Sequence, residues 1–208
     1  HSSHSTRERR PSEPGLAKEM AAAAEERQLP ILDAPVSGGD IGARSAALSI
    51  MCGGNKSAFN AALPILKSLG KTIVHQGPAG SGQHTKMCNQ IAIASGMIGV
   101  MESLLYARRC GLDPMTVLES IGSGAAGSWS LSNLYPRVVK GDMEPGFYII
   151  HFIKDMKIAA KEAALMKLQL PGLEMALKFY TKLDTQGDGL LGSQALYKAL
   201  DELNRTSS

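Results

Sequence analysis

Aromatic residues are scarce in this chain. Phe, Tyr and Trp make up 5% of its 208 residues, with a single Trp, so a platform of rings for stacking unpaired bases has little material. Cysteine is sparse as well: Cys52, Cys88 and Cys110 are widely spaced and form no CxxC pair. Zinc and thioredoxin chemistry therefore lack support, and a reducing intracellular compartment fits better than a disulfide scaffold. Charge of one sign is lacking too. The net charge of +3 is mild and evenly spread, which gives nucleic acid no footprint. Long apolar runs are missing: the stretch Ile91 to Met101 contains Ser95, Gly96 and Gly99 and is too short to cross a bilayer. No apolar signal region follows the N-terminus. Metal ligands do not cluster. His75 and His84 stand alone, and the calcium-loop-like run Asp184 to Gly189 has Gln186 for a carboxylate and Ala195 at the twelfth position. The expectation is a soluble intracellular protein with no metal, membrane or nucleic-acid partner, cytoplasm and an organelle such as the mitochondrion both remaining open.

What is present suits a packed core: 44% hydrophobic and 20% charged residues, with 22 glycines that follow no G-X-Y period. Residues 1–13 are polar and aperiodic, and read as a disordered arm or tag. Pro14 to Gln28 carries a helical pattern, with Ser12 or Glu13 to cap it. Three short strands follow, at Ile31–Val36, Ala47–Cys52 and Thr72–His75, with a helix at Ser57–Leu69 between the last two. Ser37-Gly38-Gly39 reads as a flexible turn. After Gly82 strand signals nearly vanish. Met87, Ile91, Ala94, Ile98, Met101 and Leu105 line one face of a long helix from Gly82 to Cys110. Shorter helices are expected at Pro114–Ile121, Ser130–Val139, Ile153–Lys167, Gly172–Lys182 and Ser193–Leu203. The expected fold is an α/β remnant over 14–80, followed by an all-α domain over 81–208 built on the long helix.

Three clusters carry chemistry. Gly77-Pro78-Ala79-Gly80-Ser81-Gly82 leads into a helix start, where free N–H groups and the positive dipole end suit an anion. Lys86, Asn89 and Gln90, at i, i+3 and i+4, share one face of that helix, where a cation and an amide one turn apart can hold a carboxylate or polarise a carbonyl. The same spacing equally describes a capped surface helix with a solvated lysine. Ser37-Gly38-Gly39 forms either a nest of N–H groups for a carboxylate or a plain turn. Lys154-Asp155 reads as a surface ion pair of little energetic weight.

In order and separation, Asp33-Ala34-Pro35-Val36-Ser37-Gly38-Gly39, the Gly77 to Asn89 pattern and Lys154-Asp155 resemble the β-hydroxyacid dehydrogenase family of 3-hydroxyisobutyrate dehydrogenase, tartronate semialdehyde reductase and glyoxylate/succinic semialdehyde reductase. The likeness runs from about Pro14 to Asn204. It implies an oxidoreductase that moves hydride between NAD or NADP and a small hydroxy acid or semialdehyde. The first part would be the C-terminal piece of a Rossmann-type domain. The helical part would resemble the 6-phosphogluconate dehydrogenase C-terminal domain and serve substrate binding and dimerisation. The resemblance implies Lys86 as the catalytic general acid and Asn89 as a substrate-orienting amide. It makes Ser37, Gly38 and Gly39 the carboxylate cradle, and places Lys154 near the nicotinamide. The Gly122 to Trp129 loop, with Ser128, would close over the site. A homo-oligomer is expected, since the long apolar face and the run Phe147 to Ile150 need cover.

The glycine fingerprint that seats a dinucleotide pyrophosphate does not occur in these residues. A catalytically silent dimerisation module derived from the family is therefore the alternative. These 208 residues by themselves are expected to bind NADH and NADPH at millimolar affinity or weaker, and to reduce neither glyoxylate nor succinic semialdehyde. Steady-state absorbance at the NAD(P)H band checks this; turnover near one per second, absent in Lys86→Ala, would refute it.

Overall fold

The structure is a computed structural model that describes residues 13–205. The arm expected over residues 1–13 thus lies, Glu13 apart, outside the described residues. Residues fall into two compact units, one ending at Cys88 and one beginning at Asn89.

In the first unit, helix α1 (Pro14–Glu25) begins with Glu13 at its N-cap position and Pro14 in its first turn, where a missing N–H is harmless. A four-stranded sheet follows: β1 (Leu32–Asp33), β2 (Val36–Ser37), β3 (Leu48–Gly54) and β4 (Gly70–Gly77). Strand β3 is its centre. It takes β1 and β2 antiparallel, with Asp33 opposite Gly53 and Val36 opposite Ile50, and takes β4 parallel, with Ile50 opposite Ile73. The single strand expected at Ile31–Val36 is therefore two. Pro35, between them, has no N–H to give a ladder, and its carbonyl accepts from Met51 N at 3.0 Å. The turn expected after Ser37 runs at once into helix α2 (Gly39–Arg44), six residues that are too few to show a period.

Helix α3 (Lys56–Leu66) joins β3 to β4, as parallel strands require. The Asn55 side chain caps it by accepting from Ser57 N at 2.8 Å. Leu48, Ile50, Cys52 and Phe59 form the core here, with Leu32, Leu63, Leu66 and Ile73 packed against them. Burial, and the charge of Asp33, push the Cys52 thiol above its usual pKa.

Helix α4 (Ser81–Arg109) has 29 residues, about 43 Å at 1.5 Å per residue, and ends on Arg108 and Arg109 at the negative dipole end. Met87, Ala94, Ile98, Met101 and Leu105 are buried within the single chain. Most of this face thus has its cover without a second copy, contrary to the expectation from sequence. The helix is also longer than the apolar run Ile91 to Met101 suggested. The helix continues through Gly96 and Gly99 and, with a mean hydropathy of 1.3 over its most apolar window, is long and apolar enough to span a bilayer. Protein buries 44% of that window.

The second unit continues with α5 (Pro114–Ile121), α6 (Trp129–Asn133), α7 (Tyr135–Val139), α8 (Ile149–Leu165), α9 (Pro171–Thr185) and α10 (Leu196–Arg205). Helices α6 and α7 replace the single one expected over Ser130–Val139, because Pro136 interrupts the N–H ladder. Helix α8 starts earlier than its expected Ile153. It thereby takes in Ile149 and Ile150, of which Ile149 is fully buried. Phe152 packs edge-on to Tyr180 at 5.1 Å, and Tyr180 Oη donates to Ser193 O at 2.8 Å. The loop after α7 is held by Arg137, whose Nε and Nη2 reach the Asp142 carboxylate at 2.7 and 3.0 Å. That fork holds the Asp142 carboxyl below its usual pKa.

Two glycines of α4 should respond oppositely to alanine. A Cβ on Gly82 would sit 2.3 Å from Met51 O, whereas one on Gly96 meets nothing within 4 Å. Gly82→Ala should destabilise by about 2 kcal/mol or more through overpacking, and Gly96→Ala should stabilise by about 0.5–1 kcal/mol. Urea denaturation of both variants checks the pair.

Candidate functional site

The start of α4 is built around one carboxylate. Asp33, at the end of β1, accepts from Gly80 N through Oδ1 at 2.7 Å and from Gln83 N through Oδ2 at 2.9 Å. Two of the donors left over at a helix N-terminus are thereby satisfied. The glycines around it are there for space: a Cβ on Gly53 would lie 2.5 Å from Asp33 Oδ1, and one on Gly82 would lie 2.7 Å from Asp33 Oδ2. The reading of this helix start as a seat for an outside anion is therefore corrected at these two amides, because the chain supplies the anion itself. Lys86 follows one turn after Gly82 on the same helix and is half-buried.

Ser37, Gly38 and Gly39 lie where β2 passes into α2. Ser37 is paired with Ser49 of β3 and half-buried, while Gly38 and Gly39 are exposed. Gly38 has φ +126°, a conformation open to glycine and closed to most side chains. Asp40 stands in the first turn of α2 and pairs with Arg44 at 3.0 Å.

The second unit gathers Asn89, Gln90, Lys154 and Asp155. Asn89 Nδ2 donates to Gln90 Oε1 at 2.8 Å, and Gln90 Nε2 donates to Asp155 Oδ2 at 2.9 Å. Lys154 Nζ stands 3.7 Å from Asp155 Oδ1. Gln90 is 2% exposed and Asp155 7%, so the surface ion pair expected for Lys154-Asp155 is half right. The lysine reaches solvent, while the aspartate is buried and bonded to α4. In the Gly122 to Trp129 loop, the Ser128 hydroxyl caps α6 by accepting from Leu131 N at 3.0 Å, and Trp129 is 67% exposed.

Two roles escaped the sequence reading. Asp33 was visible only as part of a motif. Its signal was the pair of glycines Gly53 and Gly82, which leaves room for one carboxylate. Gln90 shared a face with Lys86, but nothing local pointed to Asp155, 65 residues away.

Comparison with known proteins places these residues in context. Residues 80–200 match the family described as NAD-binding of NADP-dependent 3-hydroxyisobutyrate dehydrogenase, and residues 11–77 match the NAD binding domain of 6-phosphogluconate dehydrogenase. An uncharacterized oxidoreductase of Bacillus subtilis, YkwC, is 60% identical over 90% of this chain and 65% of its own length. A probable mitochondrial 3-hydroxyisobutyrate dehydrogenase-like protein of Arabidopsis thaliana is 46% identical over 94% of this chain and 58% of its own. The chain thus spans somewhat under two thirds of these relatives. Among solved structures, the 3-hydroxyisobutyrate dehydrogenase of Mycobacterium tuberculosis with L-serine superposes with a TM-score of 0.83 at 30% identity, over 90% of this chain and 67% of that one.

If Asp33 holds the start of α4, Asp33→Ala should cost about 1–3 kcal/mol, the usual penalty for leaving donors unsatisfied. Amide hydrogen exchange at Gly80 and Gln83 should accelerate more than at Asn55, which caps a different helix. Unchanged protection at both amides would show that the clamp carries no weight.

Proposed function

The chain belongs to the β-hydroxyacid dehydrogenase family, and on that premise we propose that the protein it represents transfers hydride between NAD(P)(H) and a small hydroxy acid or semialdehyde. Residues 14–80 are read as the C-terminal part of a Rossmann-type domain, with the parallel β3–α3–β4 arrangement and the match over residues 11–77 in support. Residues 81–208 are read as the substrate and dimerisation domain, in a soluble protein whose α4 is a core helix.

The observation that carries the reading is the way the chain presents Lys86. Its helix is anchored at the first turn by the Asp33 carboxylate, and a rigid helix delivers a side chain to a fixed place. In the reductive direction negative charge develops on the substrate carbonyl oxygen. The Lys86 ammonium stabilises that charge, donates its proton to the oxygen as the C–O–H bond forms, and is reprotonated from solvent. Ser37, Gly38 and Gly39 hold the substrate carboxylate, and Asn89 orients the reacting end.

NAD(P) is the cofactor of the family. When bound, its nicotinamide supplies the hydride. The residues present fit one end of it. Lys154 has a side chain 34% exposed and suits the nicotinamide region. The Gly77 to Gly82 turn does not fit a pyrophosphate, because Asp33 already takes the Gly80 and Gln83 amides.

A homo-oligomer completes the proposal. Support comes from large exposed apolar side chains of the second unit, among them Trp129, Leu165, Met166 and Met175, rather than from the buried face of α4. Light scattering at tens of micromolar that reports only monomer would overturn it.

In a full-length form of the protein, Lys86→Ala should lower kcat by roughly 10²-fold or more, the scale of general acid catalysis, with the melting temperature nearly unchanged. A kcat close to that of the parent would remove Lys86 from the mechanism.

A further inference from the structure

We infer that Asp155 is a positioning residue: acting through Gln90, it decides which edge of the Asn89 amide is left for a ligand. The inference builds on the reading of Asn89 as a substrate-orienting residue, and concerns groups of the second unit alone.

Donor and acceptor identities alternate along the row. The Asp155 carboxylate, paired with Lys154 at 3.7 Å, only accepts hydrogen bonds. A primary amide has one edge that accepts and one that donates. Facing Asp155 at 2.9 Å, Gln90 must present its NH₂. Its carbonyl Oε1 then points the other way, toward Asn89, and Asn89 must in turn offer NH₂ to it, at 2.8 Å. Gln90 is 2% exposed, so turning its amide over would set a carbonyl against a carboxylate with no water to relieve the clash. The charge at Asp155 thus propagates as polarity through two neutral amides.

The consequence lies at the far end. One N–H of Asn89 is occupied by Gln90, while its Oδ1 has no partner among the described residues. Asn89 is half-buried, within reach of a small ligand. A ligand group set against that oxygen must be a donor, such as a hydroxyl, while the second Nδ2 proton of Asn89 stays available to an acceptor beside it. The hydroxyl end of a hydroxy acid, which both donates and accepts, matches that pair of groups.

Three variants test the row, read by the side-chain amide signals of Asn89 in ¹⁵N-labelled protein. Asp155→Asn removes the charge that fixes the polarity and should speed exchange of the Asn89 Nδ2 protons by about five- to tenfold, the worth of one net hydrogen bond. Gln90→Glu alone sets two carboxylates face to face and should lower the melting temperature, a loss that the double variant restores. The double variant Asp155→Asn/Gln90→Glu moves the charge one place along the row. The amide introduced at position 155 then donates to the carboxylate introduced at position 90. That carboxylate still accepts from Asn89, and exchange should return to within about twofold of the parent. A purely structural role for Asp155 would not be rescued this way. Unchanged Asn89 exchange in a folded Asp155→Asn variant, or a double variant as fast as the single one, overturns the inference. Should Asp155→Asn fail to fold, parent-like exchange in the double variant supports it and fast exchange overturns it. Titration of the same signals with 3-hydroxypropionate separates the two readings. If the parent does not bind this probe while the exchange pattern holds, the proposed function falls and the role of Asp155 stands.

Discussion

A single carboxylate sets the geometry of the first unit. Asp33 accepts from the Gly80 and Gln83 amides, and so ties β1 to the first turn of α4. Its own place is fixed from behind, since β1 is laddered to β3 with Asp33 opposite Gly53. The glycines at Gly53 and Gly82 follow from this contact, because a side chain at either would strike the Asp33 carboxylate. So does the neighbouring Cys52, whose thiol is pushed toward its neutral form by burial and by the same charge. An interior anion would be costly without partners. Here the positive end of a long helix serves as the partner, and the exchange stabilises both.

The second unit uses charge differently. Asp155 is more fully buried than Asp33, yet it meets a neutral amide and a half-exposed lysine rather than a helix end. A helix N-terminus absorbs a carboxylate with several N–H groups at once, and the effect stops there. An amide passes the polarity on to its neighbour. One aspartate therefore anchors backbone and the other orients side chains.

What the sequence made legible follows from the range of each interaction. The long helix could be read almost to the residue, because its apolar positions repeat over many turns. The helix expected at Pro114–Ile121 has those bounds, and the structure adds the Asp113 side chain as its cap. Helix α2 was hidden by its six residues. The break at Pro35 was hidden because a proline's effect depends on which neighbouring strand it faces. The motif residues Ser37, Gly38, Gly39, Lys86, Asn89 and Lys154 were found through resemblance. The partners that hold them in place, Asp33 and Asp155, act across 47 to 65 residues of chain, and no local pattern announces a contact of that reach. The case for a second copy rested on the α4 face and the run Phe147 to Ile150, and an apolar pattern cannot say how much cover the rest of the chain provides.

The β3–α3–β4 arrangement also implies an order of events when the chain folds. Its two strands are joined by one helix with an Asn55 cap, so its contacts close short loops, whose entropy cost is small and met early. The Asp33 clamp must close over 47 and 50 residues, and it needs β3 already in place to hold β1 in register. On loop-closure entropy it is expected to form late, after the local crossover. Contacts absent from the transition state govern the rate of escape from the native state more than the rate of reaching it. In that sense the Asp33 carboxylate is a latch: its loss should show mainly in how fast the unit opens.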